Sequence, residues 1–115
     1  MRSDRERLLD ILEAIDKIQS HQGKTRSSFN SNDLLQVWAV HYLQIIGEAA
    51  SRLSDEIREQ YPDIQWGQII GMRHVLVHGY FDVDLDIVWN AIDDNLPILK
   101  KQIEAILHKI DHSGS

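Results

Sequence analysis

The sequence predicts an all-α fold, an up-and-down bundle of about four to five helices, from three observations. Apolar residues recur at helical spacing along most of the chain. No segment alternates like a β-strand beyond a few residues. Two prolines and six glycines in 115 residues leave long uninterrupted stretches. That length suits a single domain over residues 1–110, with 111–115 read as a polar tail.

The first helix is expected over residues 4–20, opened by a capping box in which Ser3 and Glu6 satisfy each other's backbone N–H groups. Leu8, Ile11, Leu12, Ile15 and Ile18 form its apolar stripe. Residues 21–30 are polar, contain Gly23 and read as a loop. A second helix is expected over 33–53, with Ser31 or Asn32 as the cap. It carries two apolar stripes, one of Leu34, Val37, Trp38, Ile45 and Ala49, the other of Leu35, Ala39, Leu43, Ile46, Ala50 and Leu53. A surface helix needs one such stripe. This helix is therefore either central or shared with another subunit, and Gly47 and Ala50 would admit a close neighbour.

A short helix over 54–60 precedes Pro62. Another runs over 65–77, with Trp66, Ile69, Ile70, Arg73 and Val77 on one face and Gly79 as its stop. Asp84 can cap a last long helix whose apolar positions are Leu85, Val88, Trp89, Ile92, Leu96, Leu99, Ile103, Ile106 and Ile110. Pro97 falls inside this pattern without breaking its phase, which predicts one kinked helix or two nearly coaxial pieces.

The chain contains no cysteine, which suits a reducing cytosol. No stretch approaches the roughly 20 apolar residues of a membrane span. The charged N-terminus lacks the apolar core of a secretory signal. These features lead us to expect a cytoplasmic protein. The net charge of −6 argues against nucleic-acid binding through bulk charge, so any RNA contact must be local.

The most informative segment is Gly71-Met72-Arg73-His74-Val75-Leu76-Val77-His78-Gly79-Tyr80. It brings a guanidinium, an imidazole and a phenol to one helix end. A cation on an otherwise apolar face needs a partner, and two readings of Arg73 stand. It either pairs structurally with a carboxylate such as Glu48 or uses its planar fork to bind a phosphate. His78 is either a dipole partner at a helix C-terminus or an acid–base group. In the second case it takes the proton of a ribose 2′-hydroxyl, and Arg73 stabilises the charge developing on phosphorus. Neither step needs a metal or a cofactor. Tyr80 on its own reads as a half-buried phenol hydrogen-bonded at the helix end.

The pattern Arg73, four residues, His78, one residue, Tyr80 resembles the signature of HepT-like HEPN toxins. The resemblance covers roughly residues 5–108. It is carried as well by Gln44-Ile45-Ile46-Gly47-Glu48-Ala49-Ala50, Pro62-Asp63-Ile64-Gln65-Trp66, Ile69-Ile70-Gly71-Met72-Arg73 and Val88-Trp89. It implies a HEPN-like bundle that forms a homodimer, with two Arg–His motifs in a shared cleft, and metal-independent cleavage of RNA. It also implies an antitoxin partner, an MNT-type nucleotidyltransferase that transfers AMP to Tyr80. The other reading is a non-catalytic helical module that binds a nucleotidyltransferase, with Arg73 and Glu48 purely structural.

Two positions depart from the family pattern. His74 stands where Asn is usual, and it either joins the acid–base set or hydrogen-bonds as Asn would. His74 and His78 are one turn apart, but no third metal ligand is evident, and no metal is expected. His41 stands where relatives tend to carry Arg; if that Arg helps bind RNA or holds Glu48, its role here is weakened or pH-dependent. Asp82, Asp84 and Asp86 resemble the start of a calcium loop. Ile87 replaces its glycine and Asp93 its final glutamate, so helix capping explains these acids better. Glu48 and Arg52, one turn apart, read as a surface ion pair, with Glu48 also suited to orient Arg73.

Overall fold

The structure is a computed structural model that describes residues 3–21, 25–78 and 85–112, with the side chains of 21, 74–78 and 85 outside that description. Its elements are α1 (Asp4–His21), α2 (Arg26–Asn30), α3 (Asp33–Ser51), α4 (Asp55–Gln60), α5 (Trp66–His78), α6 (Leu85–Asn90), a π-helical turn (Ala91–Asn95) and α7 (Leu96–His112). The described residues are all-α, as the periodicity predicts. α3 lies between α1 and α5, and α1 also packs on α7.

The helix starts follow from local chemistry. Ser3 N donates to Glu6 Oε1 and Glu6 N to Ser3 Oγ, both at 3.2 Å, which is the expected capping box. Asn32 is the cap of α3, its side chain accepting from Leu35 N at 2.9 Å. Ser54 caps α4 by accepting from Ile57 N, while its own N–H and hydroxyl donate to the Asp4 carboxylate at 2.9 and 2.6 Å. One carboxylate thus ties the start of α1 to the start of α4.

The segment read as a loop is partly helical. Thr25 caps α2, and Phe29 is fully buried, its ring 5.5 Å from that of Trp89. A five-residue helix is too short to show periodicity, and a single aromatic among serines carries little signal. Tertiary contacts supply the stability instead. Gln36 Nε2 donates to the carbonyls of Phe29 and Asn30 at 3.0 Å, and Arg26 pairs with Asp86 across to α6.

The core is wholly apolar among the described residues. It is built from Leu8, Ile11, Ile15 and Ile18 of α1, Leu43, Ile46 and Ala50 of α3, and Leu96, Leu99, Ile103 and Ile106 of α7. Burying each large side chain contributes roughly 1.5–3 kcal/mol. The two stripes of α3 part company. The stripe through Ala39, Leu43, Ile46, Ala50 and Leu53 is buried, while Leu34 and Val37 of the other are 83% and 54% exposed.

The break near Pro97 has a local cause. Pro97 has no N–H to donate four residues back. The turn before it widens, and Leu96 N donates to Ala91 O, five residues back. This leaves Pro97 in the first turn of α7, where a missing donor costs little. α7 continues through Asp111 and His112, two residues past the expected start of the tail. Arg5 Nε donates to Asp111 Oδ1 at 2.8 Å and pins that end to α1. The proposed stop at Gly79 and cap at Asp84 lie outside the described residues, as do Asp82 and Gly23.

Candidate active site

α3 and α5 approach closely at Gly47. A Cβ there would lie 3.0 Å from Arg73 N and from Ile69 O, both backbone atoms. The absent side chain thus admits the backbone of α5 itself, as expected of a small residue at this position. The close approach brings Arg73 over the last turns of α3. Arg73 Nη1 donates to Glu48 Oε2 at 2.8 Å and to Ser51 Oγ at 2.9 Å.

The network extends one step in each direction. Ser51 Oγ donates its own proton to the Glu48 carbonyl at 2.7 Å, which leaves an oxygen lone pair for Arg73. Arg52 Nε donates to Glu48 Oε1 at 2.9 Å, so each oxygen of this carboxylate holds one guanidinium. Arg73 and then Arg52 hold the Glu48 carboxyl below its ordinary value of 4.5, against the opposing effect of burial. The site is open to solvent: the Arg73 and Glu48 side chains are 32% and 46% exposed. Arg73 Nε is buried without a hydrogen-bond partner among the described residues. The Nε atoms of Arg7 and Arg58 are buried in the same way.

The structure brings Arg73 and Glu48 together as the sequence suggested, and the Glu48–Arg52 pair forms as well. Ser51 was not foreseen. Its position three residues after Glu48, on the same face of α3, was the available signal, but serine is common on such faces. The backbone of α5 includes His74 and His78, the latter as its last residue. At 1.5 Å rise per residue, Arg73 and His78 are separated by about 7.5 Å along the axis. The side chains of His74 and His78 and all of Tyr80 lie outside the described residues. His41 is exposed on α3, its ring edge-on to that of Tyr42 at 5.0 Å, two turns before Glu48.

A groove of about 620 Å³ runs between α5 and α6–α7. Leu43, Ile69, Met72, Val88 and Leu99 line it, and Arg73 does not. Asp63, Gln65, Gln68, Asn95 and Gln102 line it as well, and no described Lys or Arg does. Among the described residues no group of three or more His, Asp or Glu is placed to hold a metal ion. No described helix is long and apolar enough to cross a membrane.

The described residues thus form an all-α bundle with a solvent-reachable arginine, held by a carboxylate and followed five residues later by a histidine. The chain belongs to the Ribonuclease HepT-like family, which it matches over residues 11–106. Relatives span nearly its whole length. One is a Methanocaldococcus jannaschii protein named "Putative RNase MJ1380", 32% identical over 86% of this chain and 92% of its own. A Caldanaerobacter subterraneus protein named "Putative RNase TTE0752" is 38% identical over 80% of this chain and 82% of its own. "Probable ribonuclease HepT" of Thermococcus cleftensis is 31% identical over 91% and 96%. No solved structure matches the chain.

Proposed function

We propose that this chain is the toxin of a toxin–antitoxin pair, a homodimeric, metal-independent ribonuclease whose catalytic groups are Arg73 and His78. In this scheme the His78 imidazole takes the proton of a ribose 2′-hydroxyl. The freed oxygen attacks the adjacent phosphorus, the bond to the 5′-oxygen breaks, and that oxygen leaves with a proton supplied by water or by the protonated His78. The products are a 2′,3′-cyclic phosphate and a 5′-hydroxyl end. Arg73 neutralises charge on the non-bridging oxygens in the transition state. With Nη1 held by Glu48 and Ser51, the guanidinium plane is set, and Nη2 is the edge that meets phosphate.

The single observation that carries this reading is the state of Arg73, a cation braced by two acceptors yet one-third open to solvent. Family membership supports the same reaction class. The homodimer is supported by α3, where Leu34, Val37, His41, Ile45 and Glu48 fall on one face. Leu34 and Val37 there are exposed apolar side chains, and a twofold partner laid along that stripe would bring two copies of Arg73 towards one cleft. An MNT-type nucleotidyltransferase would silence the enzyme by transferring AMP to Tyr80, because the added phosphodiester competes with RNA for Arg73.

The Arg73–Glu48 ion pair also favours a second reading, a helical module that binds a nucleotidyltransferase without cleaving RNA. Expression of wild type beside Arg73→Ala and His78→Ala separates the two. RNA cleavage and growth arrest by wild type, both lost in the variants with the fold retained, support the nuclease. Three equally harmless proteins leave the binding module. For the modification, intact-mass and peptide mapping after co-expression with a nucleotidyltransferase should find one adenylyl group on Tyr80. Finding it on Tyr42 or Tyr61 would overturn that assignment.

A further inference from the structure

The last turn of α7 carries a second histidine pair, remote in sequence from the motif on α5. His108 and His112 are one helical turn apart, and their rings stack at 4.2 Å between centroids with an interplanar angle of 29°. Both are exposed. His112 Nδ1 lies 2.7 Å from the His108 carbonyl oxygen. A carbonyl can only accept, so Nδ1 carries the proton and the lone pair of the neutral ring is on Nε2. This is the arrangement found behind metal-ligating histidines, where a hydrogen bond from the far nitrogen fixes the tautomer and makes the near one more basic.

The geometry points to His108 and His112 as a two-imidazole chelate for a late first-row divalent cation such as Zn²⁺, Ni²⁺ or Cu²⁺. Two nitrogens bound to one tetrahedral Zn²⁺ at 2.0–2.1 Å stand about 3.3 Å apart. Rings already 4.2 Å apart reach that separation with small side-chain rotations. Once the first imidazole is bound, the second binds as an intramolecular ligand, worth about 10²–10⁴-fold in affinity. The neighbouring charges balance: Glu104 lies one turn before His108 and Asp111 directly precedes His112, while Lys109 and the Arg5 paired with Asp111 oppose them. Asp111 is not a third ligand, because Arg5 holds both its oxygens at 2.8 and 3.4 Å. The remaining coordination positions belong to water or to an incoming ligand. A bound ion would brace the end of α7, which the Arg5–Asp111 pair already ties to α1.

Calorimetric titration of the full chain with Ni²⁺ or Zn²⁺ tests the site. One ion per chain is expected, with a rise in melting temperature. His108→Gln or His112→Gln should weaken binding about 10²-fold or more. His74→Gln combined with His78→Gln should leave the isotherm unchanged. Because loss of His112 also removes a contact at the helix end, the wild-type chain gives a second readout. Paramagnetic Ni²⁺ should broaden amide resonances of residues 104–112 before any others. No binding at millimolar ion, an isotherm indifferent to the His108 and His112 substitutions, or broadening centred on residues 74–78 would each overturn the assignment.

Discussion

Arg73 Nη1 reaches across from α5 to donate to both Glu48 Oε2 and Ser51 Oγ at the end of α3, at 2.8 and 2.9 Å. The contact exists because Gly47, one residue before Glu48, has no side chain to hold the two backbones apart. Packing and chemistry therefore meet at one turn of α3, and the consequences can be tested separately.

Removal of the guanidinium should abolish most RNA cleavage. Arg73→Ala is expected to lower kcat by about 10²–10³-fold, the usual effect of losing one transition-state charge donor. Arg73→Lys keeps the charge but cannot reach two acceptors and a phosphate together, so its rate should be intermediate. Ser51→Ala leaves Glu48 in place and should cost less, with stability falling by about 0.5–1.5 kcal/mol. A fluorescent RNA cleavage assay with a parallel thermal melt measures all three. Wild-type turnover in Arg73→Ala would end the proposal.

Glu48 should make stability depend on acid. Its pKa is lowered in the fold, by Arg73 first and Arg52 second, so its ionised form is the one that stabilises. That contribution is complete above the ordinary value of 4.5 and is lost as pH falls through the lower folded value. The melting temperature of wild type should exceed that of Glu48→Gln near neutrality, and the gap should narrow as pH falls below 4.5 and through the lower folded value. The gap should be small, because the pair is well solvated. A gap that stays constant from pH 7 to pH 3 would show that Glu48 is not ionically coupled.

Gly47→Ala sets two effects against each other. Alanine gains about 1 kcal/mol of helix propensity over glycine. Its Cβ, however, would meet backbone atoms of Arg73 and Ile69 at 3.0 Å, and backbone cannot rotate away. Overpacking of this kind costs about 1–3 kcal/mol, so destabilisation should win. Cleavage should also fall, because Arg73 moves with its helix. Chemical denaturation and the cleavage assay together check this, and a more stable, fully active variant would contradict it.

The exposed stripe of α3 should mediate self-association. Leu34→Asp and Val37→Asp alter side chains that are 83% and 54% exposed, so the fold of one subunit should tolerate them. Sedimentation velocity should show a wild-type dimer and variant monomers with near-native circular dichroism. If the dimer survives both changes, another face holds it together.

Much of the helical layout was legible in the sequence, because periodicity, capping boxes and proline act over a few neighbouring residues. Ser3–Glu6, Asn32 and Ser54 announce helix starts, and the phase from Ile92 to Ile106 survives Pro97 because a π turn absorbs the missing donor. α2 was not legible, since Phe29 and Gln36 stabilise it through contacts beyond its own five residues. Residue types also nominated Arg73, His78 and Glu48.

The sequence by itself determined the fold class and the order of the long helices, and it nominated the charged residues of the candidate site. Each of these depends on local spacing and side-chain chemistry. The tertiary structure alone decided between the two stripes of α3, recruited Ser51 to Arg73 and left that arginine partly open to solvent. Those outcomes depend on the distance between α3 and α5, which is set by the absence of one side chain at Gly47 and by the packing around it.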